Sequence, residues 1–123
     1  MTEPELNKRI AIIGAGLIGC SWAALFMKHG WDVTIWDRNP DVYEHVPDKI
    51  TRALADLENL HVSKSETGSF TLCDELHVAI SDVAYVQENV SENLNVKHAL
   101  FAELDKHVAP KVPIASSLSL IHI

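Results

Sequence analysis

Short apolar runs alternate with longer segments of helical periodicity along this chain of 123 residues. The apolar runs are typical of buried parallel strands, and strands are predicted at residues 9–13, 33–36, 70–72, 84–87 and 112–115. Helices are predicted between the strands, at residues 17–29, 41–61, 74–80 and 93–108. This order predicts an α/β fold with a doubly wound parallel sheet and right-handed crossovers.

Local signals place several helix ends. Gly30 is typical of the C′ position that follows a helix, and Asp74 is a predicted N-cap. Pro47 is expected to kink the second helix or to restart it, and Pro113 suits an edge strand or its first position. One face of the second helix is expected to pack on the core through an apolar stripe of Val46, Ile50, Leu54, Leu57 and His61.

A glycine-rich loop joins the first strand to the first helix. Gly14, Gly16 and Gly19 match GxGxxG. Because a predicted strand precedes this motif and a predicted helix follows it, the motif indicates a dinucleotide-binding site of the Rossmann type. The three glycines permit a tight turn, the approach of a pyrophosphate and close helix packing, respectively. Gly14, Gly16, Leu17, Ile18 and Gly19 are therefore predicted cofactor-binding residues. The alternative is a structural turn without a ligand.

Asp37 and Arg38 follow the second strand, where an acid usually accepts hydrogen bonds from the adenosine ribose. A carboxylate there repels a 2′-phosphate, so NAD is predicted rather than NADP, although Arg38 is a residue that can reach a phosphate. Two alternatives remain open. Asp37 caps the turn before Pro40, or the nucleotide is FAD or S-adenosylmethionine.

Lys97 interrupts the apolar stripe of the fourth helix, which is formed by Leu94, Phe101, Leu104 and Val108. A lysine is rarely buried without a partner, and Glu92 precedes the same helix at the cofactor edge of the sheet. Both residues are predicted to contact the nicotinamide half of the cofactor or each other. The alternative is a surface pair in which Lys97 reaches water.

Composition narrows the possible partners and location. Ten basic and seventeen acidic residues give a formal net charge of −7, which disfavours nucleic acid. Neither a signal peptide, a membrane span nor a disulfide framework is evident, so a cytoplasmic protein without membrane contact is predicted. No metal is predicted, because the histidines and cysteines lack ligand spacing. Cys20 lies at the start of the first helix as either a packing residue or a reactive thiol.

Four segments carry a resemblance to one family. GAGLIGCSWAALF, VTIWDRNP, YVQENVSENLNVKHALFAELD and IASSLS resemble the NAD-binding domain of 3-hydroxyacyl-CoA dehydrogenases. The resemblance is strongest to the branch that holds lambda-crystallin (L-gulonate dehydrogenase) and carnitine dehydrogenase. It implies a tail at residues 1–8, an NAD-binding domain at 9–119 and a second tail at 120–123.

The resemblance also implies roles for residues near the cofactor. Asp37 matches the ribose-binding acid, and Glu92 and Lys97 match cofactor contacts. Ser117 falls where many members carry an asparagine near the nicotinamide. Ser119 matches the catalytic serine that hydrogen-bonds the substrate oxygen. The implied reaction is hydride transfer to NAD from an L-3-hydroxyacyl-CoA or a related 3-hydroxy acid, in fatty acid metabolism, by a homodimeric full-length protein.

Two departures from the family qualify this expectation. Leu118 replaces a small hydroxyl residue before the serine, and the family's catalytic histidine and helical C-terminal domain lie beyond Ile123. The expectation is a Rossmann-type domain that is truncated before the helical C-terminal domain and is catalytically incomplete alone. The alternatives are a non-catalytic dinucleotide-binding module and a structural, crystallin-like protein.

Overall fold

Five parallel strands form one sheet in the computed structural model, which describes residues 8–60, 66–90 and 94–116. The strands stand in the order β3-β2-β1-β4-β5, which is the doubly wound order of dinucleotide-binding folds. In chain order they are β1 (Arg9–Ile13), β2 (Asp32–Trp36), β3 (Phe70–Leu72), β4 (Tyr85–Glu88) and β5 (Ile114–Ser116). The predicted α/β fold and sheet are confirmed.

Helices cover both faces of this sheet. They are α1 (Leu17–Lys28), α2 (Val46–Asn59), α3 (Leu76–Ala79) and α4 (Leu94–His107), and a 3₁₀ helix at Pro40–His45 precedes α2. Alternate residues of β1 point to opposite faces. Ile10 and Ile12 belong to the core under α1 and α2, whereas Ala11 and Ile13 belong to the core under α4.

Two strands extend beyond the apolar runs that predicted them. Glu88 ends β4 and Ser116 ends β5, and the two residues are register partners. Glu88 also pairs with Ile13 of β1 on its other side. The sheet continues through these polar residues because the backbone N–H and C=O groups of paired strands stay hydrogen-bonded whatever the side chain is. The predicted ends at Gln87 and Ala115 were each one residue short.

The helix ends agree with most of the predicted signals. Gly30 has a φ of 88°, and its N–H donates to the Met27 carbonyl, as expected at C′. The predicted single helix over 41–61 is wrong at its start, because the Asn39 side chain accepts from the Asp41 N–H and caps a 3₁₀ turn. The α-helix restarts at Val46 with Pro47 in its first turn, which confirms the expected restart.

The predicted N-cap at Asp74 is wrong. Helix α3 begins at Leu76, and Glu75 occupies the N-cap position without a capping side-chain bond. The Asp74 carbonyl accepts from the Trp36 indole N–H, so Asp74 belongs to the turn that follows β3. Its backbone is anchored to β2 before the helix starts.

The buried side of α2 and α4 matches the predicted stripes only in part. Val46 and Ile50 are buried, while Leu54 and Leu57 are half-buried, and His61 lies outside the described residues. Among the α4 residues whose burial the structure describes, Leu100 and Leu104 are buried. The predicted Phe101 and Val108 pack at the edge of that cluster, and the side chain of Leu94 lies outside the described part. Lys97 precedes Leu100 by three residues, and its Nζ atom lies 6.0 Å from the centre of the Phe101 ring.

Candidate cofactor-binding site

The glycine loop has a different steric demand at each glycine. Gly14 has a φ of 100°, and a Cβ there would lie 3.0 Å from the Asn89 carbonyl. A Cβ at Gly19 would lie 1.8 Å from the Gly14 oxygen, so that glycine permits the loop and α1 to pack together. A Cβ at Gly16 would meet nothing within 4 Å. Gly14 and Gly19 are thus required by the fold, whereas the space beside Gly16 is open.

Helix α1 begins with free backbone donors at this open position. Gly16 is the N-cap residue and supplies no side-chain cap, and the first helical bond runs from the Cys20 N–H to the Gly16 oxygen, 3.0 Å away. The N–H groups at the start of a helix lack helical partners and carry a partial positive charge. Leu17 and Ile18 are exposed at the same end. This geometry is suited to a phosphate anion.

Asp37 ties the end of β2 to the glycine loop. Its Oδ2 atom accepts from the Ala15 N–H at 2.7 Å, and its Oδ1 atom accepts from the Asn39 N–H at 2.8 Å. Asp37 therefore does cap the turn before Pro40, as one of the alternatives proposed. Each carboxylate oxygen can accept more than one hydrogen bond, so Asp37 retains acceptor capacity toward the cleft that it lines.

Tyr43 fixes the backbone of Asp37, and sequence reasoning missed it. The Tyr43 hydroxyl accepts from the Asp37 N–H at 3.0 Å and donates to the Cys73 carbonyl at 2.6 Å. Burial raises the pKa of this hydroxyl above its ordinary value, so its proton stays in place to be donated. The available signal was an aromatic residue with a polar tip placed shortly after the strand-end acid.

Tyr43→Phe is expected to weaken NADH binding about fivefold and to lower the free energy of unfolding by about 1 kcal/mol, because one net hydrogen bond and the anchor of Asp37 are lost. Fluorescence titration and urea unfolding measure the two effects. Tyr85→Phe is the matched control, since the Tyr85 hydroxyl donates to Gln87 on its own strand. Equal losses of NADH affinity in the two variants would contradict the role of Tyr43.

A cleft lies between the end of β2 and the residues that follow β4. Its volume of about 490 Å³ is within the usual range for ligand sites. The glycine loop, the end of β2 and the residues after β4 form its lining, which consists of Gly14, Gly16, Asp37, Arg38, Asn39, Asn89 and Val90. Four of the predicted cofactor-binding residues therefore meet in one cleft. Asn89 and Val90 were not predicted, and they form the wall opposite Asp37.

Lys97 is held by a partner that the sequence analysis did not identify. Its Nζ atom lies 3.0 Å from Glu88 Oε1 and donates to Ser116 Oγ at 3.0 Å. The Lys97 side chain is 18% exposed and that of Glu88 is fully buried, so Lys97 does not simply extend into water. Glu92, Ser117 and Ser119 lie outside the described residues, and their roles stay predictions.

Cys20 is a packing residue. It is buried, its thiol donates to the Ala15 carbonyl, and burial raises the pKa of the thiol. In the described residues, no three His, Cys, Asp or Glu side chains come together as a metal site. Within the same part of the chain, no helix is long and apolar enough to cross a bilayer.

Known proteins are similar to this chain in sequence and in fold. Residues 9–123 match the family model of the 3-hydroxyacyl-CoA dehydrogenase, NAD binding domain. L-carnitine dehydrogenase of Streptomyces coelicolor is 39% identical over 120 residues, which cover 97% of this chain and 38% of that protein. The lambda-crystallin homolog of Bos taurus is 36% identical over 121 residues, which cover 91% of this chain and 37% of that protein.

A solved structure agrees with these relatives. That of 5-formyl-3-hydroxy-2-methylpyridine 4-carboxylic acid 5-dehydrogenase, an NAD+ dependent dismutase, matches with a TM-score of 0.84 at 28% identity, covering 93% of this chain and 38% of that chain. The predicted resemblance and its branch are confirmed, and NAD is the cofactor of this domain. The chain spans less than two fifths of the length of each of these three proteins.

Proposed function

The chain belongs to the 3-hydroxyacyl-CoA dehydrogenase NAD-binding domain family, and from that premise we propose that it serves an oxidoreductase acting on the CH–OH group of a 3-hydroxy acid. One observation supports the cofactor part of the proposal, and the reaction itself is proposed from the family match. The only loop glycine with open space around it, Gly16, faces the cleft that Asp37 also lines. That is the arrangement needed for a pyrophosphate beside a ribose-binding acid.

Each wall of the cleft has a distinct task in this proposal. The free N–H groups at the start of α1 bind the pyrophosphate, and Leu17 and Ile18 cover it. Asp37 accepts from the adenosine ribose hydroxyls. Lys97, with Glu92 and Ser117, contacts the nicotinamide half. When bound, NAD supplies the hydride acceptor, and the protein supplies orientation.

Ser119 is proposed to hydrogen-bond the oxygen of the substrate. Among possible substrates we favour a free 3-hydroxy acid over an acyl-CoA thioester, because the relatives that are 39% and 38% identical are both L-carnitine dehydrogenases. L-carnitine is itself a free 3-hydroxy acid. A homodimer, a cytoplasmic location and a place in fatty acid metabolism stay predictions.

The test has a binding arm and a turnover arm. The purified protein is titrated with NADH by fluorescence, and is then incubated with NAD and L-carnitine, L-gulonate or L-3-hydroxybutyryl-CoA while NADH absorbance is followed. We expect saturable NADH binding by this chain and no turnover by residues 1–123 alone. Turnover with a free 3-hydroxy acid, lost in Ser119→Ala, is expected only of a longer protein that carries the family's catalytic histidine and substrate domain. Absence of NADH binding would refute the cofactor site, and turnover confined to the CoA thioester would refute the substrate choice.

A further inference from the structure

Glu88 is a fully buried carboxylate at the end of a central strand. It is register partner to Ile13 on one side and to Ser116 on the other. Taking a carboxylate out of water is costly unless it is paired and hydrogen-bonded. The contacts of Glu88 therefore need an explanation that the cofactor loop alone does not give.

The two oxygens of Glu88 have different partners. Oε2 accepts from the backbone N–H of Val90, a residue that lines the cleft. Oε1 lies 3.0 Å from the Lys97 ammonium. Lys97 also donates to Ser116 Oγ, and an ammonium has three donors. Glu88 thus links Val90 in the cleft wall to the Lys97 ammonium on helix α4.

Stability alone is a poor reason for this pair. Replacing a buried ion pair with apolar residues of similar volume is often neutral or stabilising, whereas removing one partner is strongly destabilising. Ile13 and Val86 show that apolar residues fill neighbouring positions of this sheet. The geometry that the pair imposes on Val90 and Lys97 is the property that apolar residues cannot supply.

We infer that Glu88 is a positioning residue of the cofactor cleft, which fixes the Val90 wall with one oxygen and the Lys97 ammonium with the other. The inference rests on the proposed function, in which Lys97 contacts the nicotinamide half. Glu88 itself acts through Lys97, because its carboxylate is fully buried, with Oε2 bonded to the Val90 N–H and Oε1 facing the Lys97 ammonium.

Glu88→Gln tests the inference with minimal change of shape. The amide oxygen can still accept from the Val90 N–H, but the amide NH₂ then faces the Lys97 ammonium, donor against donor. NADH affinity is expected to fall at least about tenfold, as for the loss of one charge-assisted hydrogen bond. Glu75→Gln is the control, since Glu75 pairs with His77 at the surface, and its NADH affinity should stay within about twofold of wild type.

A double-variant cycle separates positioning from folding. Lys97→Met should lose as much NADH affinity as Glu88→Gln, and the combined variant should lose no more than Lys97→Met alone. Its urea midpoint should exceed that of Lys97→Met, because no unpaired buried charge remains. If Glu88→Gln weakens NADH binding further in the Lys97→Met background, Glu88 acts through folding alone and the inference is overturned.

Two outcomes cover the remaining cases. If neither single variant folds, the combined variant is compared with wild type. Reduced NADH affinity at a urea midpoint close to that of wild type supports the inference. Unchanged NADH affinity overturns it. Failure of the proposed cofactor site is distinguishable, because the wild-type protein would then not bind NADH at all.

Discussion

Gly16→Val is expected to abolish measurable NADH binding while the protein stays folded, with affinity falling more than about a hundredfold, or about 3 kcal/mol. A Cβ at Gly16 meets no protein atom within 4 Å, and the φ of −75° suits any L residue. The valine side chain therefore enters the cleft rather than the core. It fills the space in which the pyrophosphate must approach the backbone.

The stability cost of this variant is expected to be small. Gly16 is the N-cap of α1 without a side-chain bond, and exchanging it for an aliphatic residue costs at most about 1 kcal/mol at such a position. Fluorescence titration with NADH and thermal unfolding followed by circular dichroism measure the two effects on the same sample.

Gly19→Ala provides the contrasting control. Its Cβ would lie 1.8 Å from the Gly14 oxygen, so the loop must move away from α1 and the unfolding temperature should fall. The two variants thereby distinguish Gly19, which is required by packing, from Gly16, which is required by the ligand. Normal NADH binding by Gly16→Val would show that the loop is not the phosphate site.

The glycine loop was predictable from sequence because its requirements are local. Motif spacing, the strand before it and the helix after it fix where Gly14, Gly16 and Gly19 lie. The same holds for Gly30, whose positive φ depends only on the end of one helix. The parallel sheet followed from the alternation of apolar runs and helical periodicity, since parallel strands require crossovers.

Contacts between distant segments were not predictable in the same way. The apolar stripe of the fourth helix indicated that Lys97 needs a partner. That partner is Glu88, which lies one residue beyond the predicted end of the fourth strand. The register of β4 with β5 places Glu88 beside Ser116, and helix α4 brings Lys97 to both of them. The role of Tyr43 was not predicted for the same reason. Its hydroxyl donates to the carbonyl of Cys73, which is thirty residues away in sequence.

Asp37→Ala is expected to lower NAD affinity at least about tenfold, because a charged acceptor of the ribose hydroxyls is lost. NADP affinity should stay constant or rise, since the carboxylate that repels the 2′-phosphate is gone. The preference for NAD over NADP therefore narrows. Calorimetric titration of both cofactors with wild type and variant measures this preference directly.

Loss of structure must be separated from loss of recognition in this variant, because Asp37 also accepts from Ala15 and Asn39. Asp37→Asn keeps the shape and one acceptor oxygen but removes the charge. It should retain more of the unfolding free energy than Asp37→Ala and still narrow the NAD preference. A narrowed preference in both variants assigns the effect to charge rather than to a disturbed loop.

Arg38→Ala provides the opposite control at the neighbouring position. Arg38 is exposed and lines the same cleft, so it is the cation placed to meet a 2′-phosphate. Its removal should leave NAD affinity nearly unchanged and weaken any residual NADP binding, which widens the preference. If NAD and NADP bind the wild type equally, or if Asp37→Ala leaves their ratio unchanged, Asp37 does not select the cofactor and the assignment fails.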